Sequence, residues 1–406
     1  MNDRPTMPTE SPSSVVRKRR PLFGRMAALS TIIGWLGARK ADERRYNWIF
    51  VATAGPPVLI MLILALMQEP LRGDLTRLGG YTENRYGWTE PQKRFVPPLV
   101  SLGYDRPHDI VVVGDSFSSN PDLYGQTDNG AYWVNYVAQR TGLSVAVLRL
   151  PHATLRDVVD SPVFKAAPPR LVILENVERY LVRNNVLEPE RWLGPGIRGC
   201  PDATAPPRRA GIRELRPMSI APVTWHRDRT FQPDFGQAAD LFGKHALRVL
   251  GFDITPVLNL PLVTDRLFSS RASDRLLVYD EEFDPEGWSR RRIGRAICNL
   301  LAAQELVQRN GQTAFAFLIA PDKLTAYAEL IADEQRKGVN RLPEFYRENR
   351  LNQIRVLEAL RAAIHRHVQD VYLPNDTHWG SAAHEIVADQ VVAHLAATAR
   401  ASSERP

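Results

Sequence analysis

Five short apolar runs recur after residue 108, and they restrict the fold more than any other feature of the chain. They lie at 109–113, 144–148, 171–174, 313–320 and 371–373. Continuous apolar runs, without a polar residue at every second position, are typical of parallel strands buried on both faces. Amphipathic helical stretches separate them, notably Ser289–Arg309 and Leu351–His367. This alternation predicts a three-layer α/β/α domain built on a parallel sheet, and sites in such sheets form at the carboxyl ends of the strands.

An uncharged stretch of 20 residues, Trp48–Met67, precedes this domain. At about 1.5 Å per residue it matches the roughly 30 Å of hydrocarbon in a bilayer, which predicts one transmembrane helix. A buried core helix is the alternative. A cleaved signal peptide is disfavoured, because the preceding basic region is long and Leu66-Met67-Gln68 lacks small residues at a cleavage site.

The positive charge of the chain is concentrated before this stretch. Residues 1–47 hold ten basic and four acidic residues, so they account for six of the seven net positive charges. A body this close to neutral does not indicate nucleic-acid binding. The positive-inside rule predicts a cytoplasmic tail at 1–47, with the body outside the cytoplasm. We therefore expect a single-pass protein of the bacterial inner membrane with a periplasmic domain.

The predicted body has three parts. Residues 68–108 are polar and predict a linker that packs on the edge of the domain, and residues 109–398 are predicted to form the α/β domain. An insertion at about 190–275 interrupts it. Within that insertion, Arg191–Phe231 holds eight arginines against three acidic residues. Such a segment is either a lid that binds an anionic polymer through residues such as Arg208, Arg209, Arg213 and Arg216, or a solvated insertion.

Two cysteines, Cys200 and Cys298, lie in the part predicted to be exported. An oxidising compartment permits a disulfide between them, whereas two free buried thiols are equally compatible with the sequence.

Two polar motifs fall at predicted strand ends. The tetrapeptide GDSF at 114–117 follows the first apolar run, and DTHW at 376–379 follows the last one. Both loops then lie on the same rim of the sheet, where Ser116, His378 and Asp376 can meet. A serine nucleophile requires a base within hydrogen-bonding distance and a third group that orients the base. The alternatives are a helix cap at Ser116, a surface histidine and a turn-capping aspartate.

The pair GDSF and DTHW resembles the SGNH hydrolase-like superfamily, and in particular the alginate O-acetyltransferases of the AlgJ and AlgX type. Two further segments are similar to that family, LENVERYL at 174–181 and IAPDKLTAY at 319–327. The resemblance implies a flavodoxin-like SGNH domain with Ser116 as nucleophile and with Asp376 and His378 completing the triad. In the alginate enzymes DTHW precedes GDSF, whereas here Ser116 comes first, as in ordinary SGNH esterases.

The resemblance also suggests groups that stabilise the oxyanion. The backbone N–H of Ser116 is one donor, and the asparagine of the third SGNH sequence block falls near Asn176. Arg179 is a competing candidate for oxyanion or substrate contact, or else the partner of a nearby acid. Lys323 is interpreted as structural. The sequence contains no metal-binding or phosphate-binding motif, so no metal and no cofactor is predicted.

These observations favour an extracytoplasmic O-acetyltransferase that acts on an exopolysaccharide. By analogy with the alginate system, a membrane-bound acyl donor protein of the MBOAT type is the expected partner, because acetyl-CoA is cytoplasmic. The alternatives are a polysaccharide acetylesterase with the same triad and a non-catalytic carbohydrate-binding subunit of an export complex.

Overall fold

The computed structural model describes residues 41–67, 73–119, 130–197, 199, 223–225, 235–283, 288–337 and 342–403. The chain divides into two compact units, Met1–Met67 and Gln68–Pro406. The first contains one described helix, α1 (Ala41–Met67), which includes the predicted span. Among the described residues, no helix meets the length and hydropathy needed to cross a membrane. Most of the predicted basic tail, residues 1–40, lies outside the described residues, and the transmembrane helix stays a prediction.

The second unit alternates short strands and helices. Its described strands are β1 (Gln92–Arg94), β2 (Ser101–Leu102), β3 (Ile110–Gly114), β4 (Val145–Arg149), β5 (Leu171–Val177), β6 (Val223–Trp225), β7 (Val257–Pro261), β8 (Arg275–Tyr279), β9 (Ala314–Ala320) and β10 (Gln353–Ile354). Its described α-helices are α2 (Asp74–Gly79), α3 (Glu83–Tyr86), α4 (Trp133–Thr141), α5 (Leu155–Asp160), α6 (Pro162–Ala166), α7 (Pro189–Trp192), α8 (Phe235–Val249), α9 (Arg290–Gln308), α10 (Lys323–Tyr327), α11 (Leu342–Tyr346), α12 (Leu357–His365) and α13 (Ser381–Ser403).

Six strands form one sheet in the order β10-β9-β5-β3-β4-β2, and every neighbouring pair is parallel. The predicted parallel α/β sheet is therefore confirmed. The strand β3 lies inside the sheet, hydrogen-bonded to β4 on one side and β5 on the other. Its carboxyl end, where the GDSF motif follows, is consequently flanked by two neighbouring strand ends.

Each face of the sheet buries its own hydrophobic cluster. Ile110 and Val112 contribute to a cluster with α4, α12 and α13, whereas Val111 and Val113 contribute to a cluster with α5, α6 and α9. Successive side chains of a strand point to opposite faces, so a strand covered by helices on both sides is apolar at every position. This explains the continuous apolar runs and gives the three layers.

The prediction of a strand at 371–373 is wrong. Tyr372 forms only an isolated antiparallel bridge with Trp379, and the segment folds back on itself. The Leu373 N–H donates to the His378 carbonyl at 3.0 Å, and the Gly380 N–H donates to the Val371 carbonyl at 3.0 Å. The run is apolar because it is buried beside the sheet, so burial rather than sheet pairing produced the pattern.

Residues 73–108 are more ordered than the predicted linker. They form α2, α3, β1 and β2, and Leu75, Tyr86, Trp88 and Phe95 are buried. These few large apolar side chains attach an otherwise polar region to the body. It is therefore part of the domain.

The predicted insertion is partly described. It contains α8 and β7, and β7 pairs in antiparallel fashion with β8. The residues Arg208, Arg209, Arg213 and Arg216 of the predicted lid lie outside the described residues. Cys298 is disulfide-bonded, and Cys200 lies outside the described residues.

Candidate active site

The nucleophile turn, residues 114–119, is fixed by the neighbouring strand β5. The two carboxylate oxygens of Asp115 accept hydrogen bonds from the Phe117 N–H at 3.0 Å and the Val177 N–H at 2.7 Å. A Cβ atom at Gly114 would lie 2.6 Å from the Ser118 hydroxyl oxygen, so only glycine fits at the end of β3. These contacts hold Ser116 at the carboxyl edge of the sheet.

Glu175 supports the same turn from β5. Its Oε2 atom accepts hydrogen bonds from the Asp115 N–H at 3.0 Å and the Ser118 hydroxyl at 2.8 Å. Burial, followed by the negative charge of Asp115, raises the pKa of Glu175 well above its usual value. The carboxyl group of Glu175 therefore connects Asp115 and Ser118 to β5.

The structure brings Ser116, His378 and Asp376 together. The Ser116 Oγ and His378 Nε2 atoms are 2.8 Å apart, and His378 Nδ1 lies 2.5 Å from Asp376 Oδ1. Because an ionised carboxylate can only accept, Nδ1 carries the proton, and Nε2 is left to accept the Ser116 proton. The predicted residues therefore have the geometry of a nucleophile, a base and an orienting acid.

In the relay formed by Ser116, His378 and Asp376, electrostatic interactions counteract the effect of burial on the pKa values. Burial disfavours the ionised form of Asp376, but the charge of His378 and its hydrogen bonds lower the pKa of Asp376 to about 2. Burial likewise disfavours a charged His378, whereas the neighbouring Asp376 more than compensates and raises the pKa of His378 above 6.5. The pair is therefore arranged to stabilise an imidazolium with an ionised carboxylate behind it.

The backbone N–H of Ser116 has no hydrogen-bond partner among the described residues. It is therefore available to donate to an oxyanion, and its role in an oxyanion hole stays a prediction.

Asn176, the other predicted oxyanion donor, is engaged elsewhere. Its amide nitrogen donates to the Glu175 carbonyl at 2.7 Å, and its amide oxygen accepts from the Asn185 side chain at 2.9 Å. Among the described residues no contact joins Asn176 to Ser116 or His378. The side chain is buried in a polar network with Asn185 instead, and its predicted role in an oxyanion hole stays a prediction.

Arg179 forms the ion pair that was the alternative to a substrate contact. Its guanidinium lies 2.5 Å from Asp322, with both side chains buried, and it is 5.3 and 5.4 Å from the ring centres of Tyr180 and Tyr279. Its positive charge lowers the pKa of His378, although less than Asp376 raises it. Arg179 therefore influences the base electrostatically.

The two other segments that resemble the family hold each other in place. The Glu178 carboxylate accepts hydrogen bonds from the Asp322 N–H at 2.8 Å and the Thr325 hydroxyl at 3.0 Å. Burial raises the pKa of Glu178 to about 7. The segment after β5 is thereby joined to the segment after β9 next to the relay.

Lys323 is structural, as the sequence suggests. Its ammonium donates to the carbonyls of Leu373, Pro374 and Asp376 at 2.7, 3.1 and 3.1 Å. Burial lowers its pKa to about 8. These bonds hold the acid–base loop, residues 373–380, in place.

Asp74 also contacts the acid–base loop, and sequence reasoning missed it. Its backbone N–H donates to Asp376 Oδ2 at 3.1 Å, and its carboxylate accepts from the Thr377 N–H at 2.9 Å. Asp74 is 302 positions away from Asp376 and belongs to no motif, so no sequence signal predicts the contact.

Asp74, Asp376 and His378 place three potential ligand atoms within 4.8 Å of one another. A metal ion there would compete with the bonds that occupy both ring nitrogens of His378. The contacts in the structure are those of a hydrogen-bonded relay.

The fold and the relay together define an α/β protein with hydrogen-bonded Ser, His and Asp side chains at the carboxyl edge of its parallel sheet. Residues 271–406 match the family model of the SGNH hydrolase-like domain of acetyltransferase AlgX. This match confirms the predicted resemblance to AlgX- and AlgJ-type O-acetyltransferases. The matched part includes the acid–base loop, whereas Ser116 lies before it.

No curated protein matches the chain. One crystal structure aligns with 71% of this chain and 96% of its own length, at 13% sequence identity and a TM-score of 0.26. An alignment this weak supports no conclusion about fold or function.

Proposed function

We propose that this protein is a membrane-anchored O-acetyltransferase that transfers an acetyl group through Ser116 to hydroxyls of an exopolysaccharide outside the cytoplasm. The observation that supports it most is the 2.8 Å hydrogen bond between Ser116 and His378. It links the serine of the GDSF motif to a loop inside the AlgX-like part of the chain.

The first half-reaction forms an acyl-enzyme. His378 Nε2 accepts the Ser116 proton while the serine oxygen attacks the carbonyl carbon of an acetyl ester. The free N–H of Ser116 donates to the oxyanion that develops. The tetrahedral intermediate collapses, His378 gives its proton to the leaving alcohol, and the acetyl group remains on Ser116 Oγ.

The second half-reaction transfers the acetyl group. His378 accepts the proton of a sugar hydroxyl, whose oxygen attacks the acetyl carbonyl. The bond from Ser116 Oγ to the acyl carbon then breaks, and the serine recovers its proton from His378. Asp376 remains ionised throughout and orients the imidazole. With water in place of the sugar, the same steps give an esterase.

The proposed location follows from the sequence. Residues 48–67 serve as the anchor, the basic tail remains in the cytoplasm, and the domain lies in the periplasm of a bacterium. A membrane-bound partner of the MBOAT type then supplies the acetyl group from the cytoplasmic side.

The test of this proposal is acetyl transfer from a chromogenic acetyl ester, with and without an oligosaccharide acceptor. We expect the acceptor to accelerate release of the chromophore and to become acetylated, and we expect Ser116→Ala to abolish both effects. Equal release with and without acceptor, accompanied by free acetate, would instead indicate an esterase.

A further inference from the structure

Asp74 makes reciprocal hydrogen bonds with the acid–base loop. Its own N–H donates to Asp376 Oδ2 at 3.1 Å, while the Thr377 N–H donates to its carboxylate at 2.9 Å. Since Asp376 Oδ1 is occupied by His378, the Asp74 N–H bonds the remaining carboxylate oxygen. Both oxygens of Asp376 are therefore held, and its plane is fixed relative to the imidazole.

The Asp74 carboxylate accepts two further hydrogen bonds. The Thr377 hydroxyl donates at 2.7 Å and the Tyr279 hydroxyl at 3.0 Å, both to Oδ2. Burial and the charge of Asp376 raise the pKa of Asp74, whereas His378 and the Thr377 hydrogen bonds oppose that rise. Burial prevails, so the pKa of Asp74 is raised overall. The geometry is nevertheless that of an acceptor, because the Thr377 N–H, the Thr377 hydroxyl and the Tyr279 hydroxyl all donate to the carboxylate.

Two carboxylates consequently face one imidazole. Asp376 and Asp74 both raise the pKa of His378, in that order, while burial and Arg179 lower it. Among the described residues, Lys323 and Tyr279 also interact electrostatically with both Asp74 and Asp376, and His384 interacts with His378.

We propose that Asp74 is a positioning residue of the relay, which orients Asp376 through its backbone N–H and stabilises the imidazolium through its negative charge. The imidazolium forms each time His378 takes the proton of Ser116. This inference rests on the serine chemistry of the proposed function, but it does not depend on which acceptor receives the acetyl group.

The decisive variant is Asp74→Asn. Asparagine retains the backbone N–H and the size of the side chain, and its amide oxygen can still accept from Thr377, but the negative charge is lost. A neighbouring charge within about 4–6 Å shifts a pKa by roughly one unit or more. We therefore expect the acidic limb of the pH profile to move about one pH unit lower. Asp74→Glu retains the charge and should keep the midpoint close to that of the wild type.

The rate at which a fluorophosphonate labels Ser116 in the full-length protein, measured against pH, reports this limb without a natural substrate. Glu83→Gln is the matched control. Glu83 is a buried carboxylate of the same segment that accepts from the Gly73 N–H at 2.9 Å and the Asn375 amide at 2.8 Å. Through Asn375 it contacts the acid–base loop, and neither of these two bonds is made with Ser116, His378 or Asp376. We expect Glu83→Gln to lower the melting temperature and to leave the midpoint of the pH profile in place.

If Asp74→Asn fails to fold, Tyr279→Phe tests the same idea, because loss of that donor disfavours ionised Asp74. The midpoint should then move in the same direction by a smaller amount. A wild-type midpoint in folded Asp74→Asn or Tyr279→Phe, or an equal shift in Glu83→Gln, would overturn the inference.

The outcomes also separate this inference from the proposed function. A shifted labelling profile in a protein that transfers no acetyl group to any acceptor would support the role of Asp74 and contradict the transferase. If the wild-type Ser116 is not labelled at any pH, both are overturned.

Discussion

The two halves of the site are held in different ways. The nucleophile turn is fixed by its immediate neighbour in the sheet, since Asp115 and Glu175 connect the ends of β3 and β5. The acid–base loop belongs to no strand of that sheet. It is held by residues from distant parts of the chain, by the Lys323 ammonium from α10 and by the backbone N–H and carboxylate of Asp74 from α2.

This difference has a physical consequence. A turn at the end of a buried parallel strand inherits its position from the sheet, because the ladder fixes the strand end. A loop outside the sheet has no such support, and its carbonyl groups need buried donors. The donors of the acid–base loop are a buried ammonium and a neighbouring backbone segment, so its geometry depends on a few polar contacts.

We expect the largest effect from removal of the Ser116 hydroxyl group from the nucleophile turn. Ser116→Ala and Ser118→Ala make the same chemical change, loss of a serine hydroxyl, at two positions of this turn. The Ser116 hydroxyl contacts His378, whereas the Ser118 hydroxyl contacts Glu175. We expect Ser116→Ala to reduce kcat at least about a thousandfold, while Ser118→Ala lowers stability by about 1 kcal/mol. Rates of chromogenic ester cleavage and denaturant unfolding distinguish the two. A comparable loss of activity in both variants would contradict the assignment of the nucleophile.

We expect the next largest effect from removal of the Lys323 ammonium that supports the acid–base loop. Lys323→Met retains an aliphatic chain of similar length but removes the donors to three carbonyls. Because those acceptors are buried, we expect a loss of about 3 kcal/mol in the free energy of unfolding. Activity should fall as well, since the loop carries His378.

Lys93→Met is the control for this change. Lys93 is 51% exposed and pairs with Glu385 on the surface, so we expect at most about 1 kcal/mol. Equal destabilisation by the two substitutions, measured by denaturant unfolding, would show that Lys323 is not the support of the loop.

The sequence predicts the nucleophile turn more completely than the acid–base loop. The apolar runs predict four strands of the sheet and the position of Ser116, because burial on both faces leaves a clear pattern. The motif at 376–379 predicts His378 and Asp376, although the run before it is not a strand. The supporting contacts of Asp74 could not be predicted, because one aspartate that belongs to no motif gives no sign of a partner 302 positions away.

We expect the smallest effect in the pH dependence of stability, through Glu175 next to the nucleophile turn. The pKa of Glu175 is raised in the folded protein by burial and by Asp115. Between the unfolded pKa, about 4.3, and the higher folded value, the folded state retains a proton that the unfolded state releases. Stability of the wild type therefore falls as pH rises through this window. Glu175→Gln removes that proton exchange, so the variant should gain about 1.4 kcal/mol relative to the wild type for each pH unit.

Unfolding midpoints of both proteins against pH test this prediction. Glu188→Gln is a control of opposite sign, because hydrogen bonding to Arg183 lowers the pKa of that partly exposed carboxylate. Its small contribution is present at neutral pH and lost in acid. Parallel pH curves for the wild type and Glu175→Gln would mean that Glu175 is ionised in the folded protein.

The central claim, that Ser116 is the group that carries the acetyl, is tested most directly by mapping the acyl-enzyme. The full-length protein is mixed with an acetyl ester, quenched in acid within the first turnover, digested and analysed by mass spectrometry. The account predicts an acetyl group on Ser116 in the wild type, its rapid loss on addition of an oligosaccharide acceptor, and no acetylation of Ser116 in His378→Ala. An unmodified Ser116 during turnover, or an acetyl group that forms equally well without His378, would contradict it.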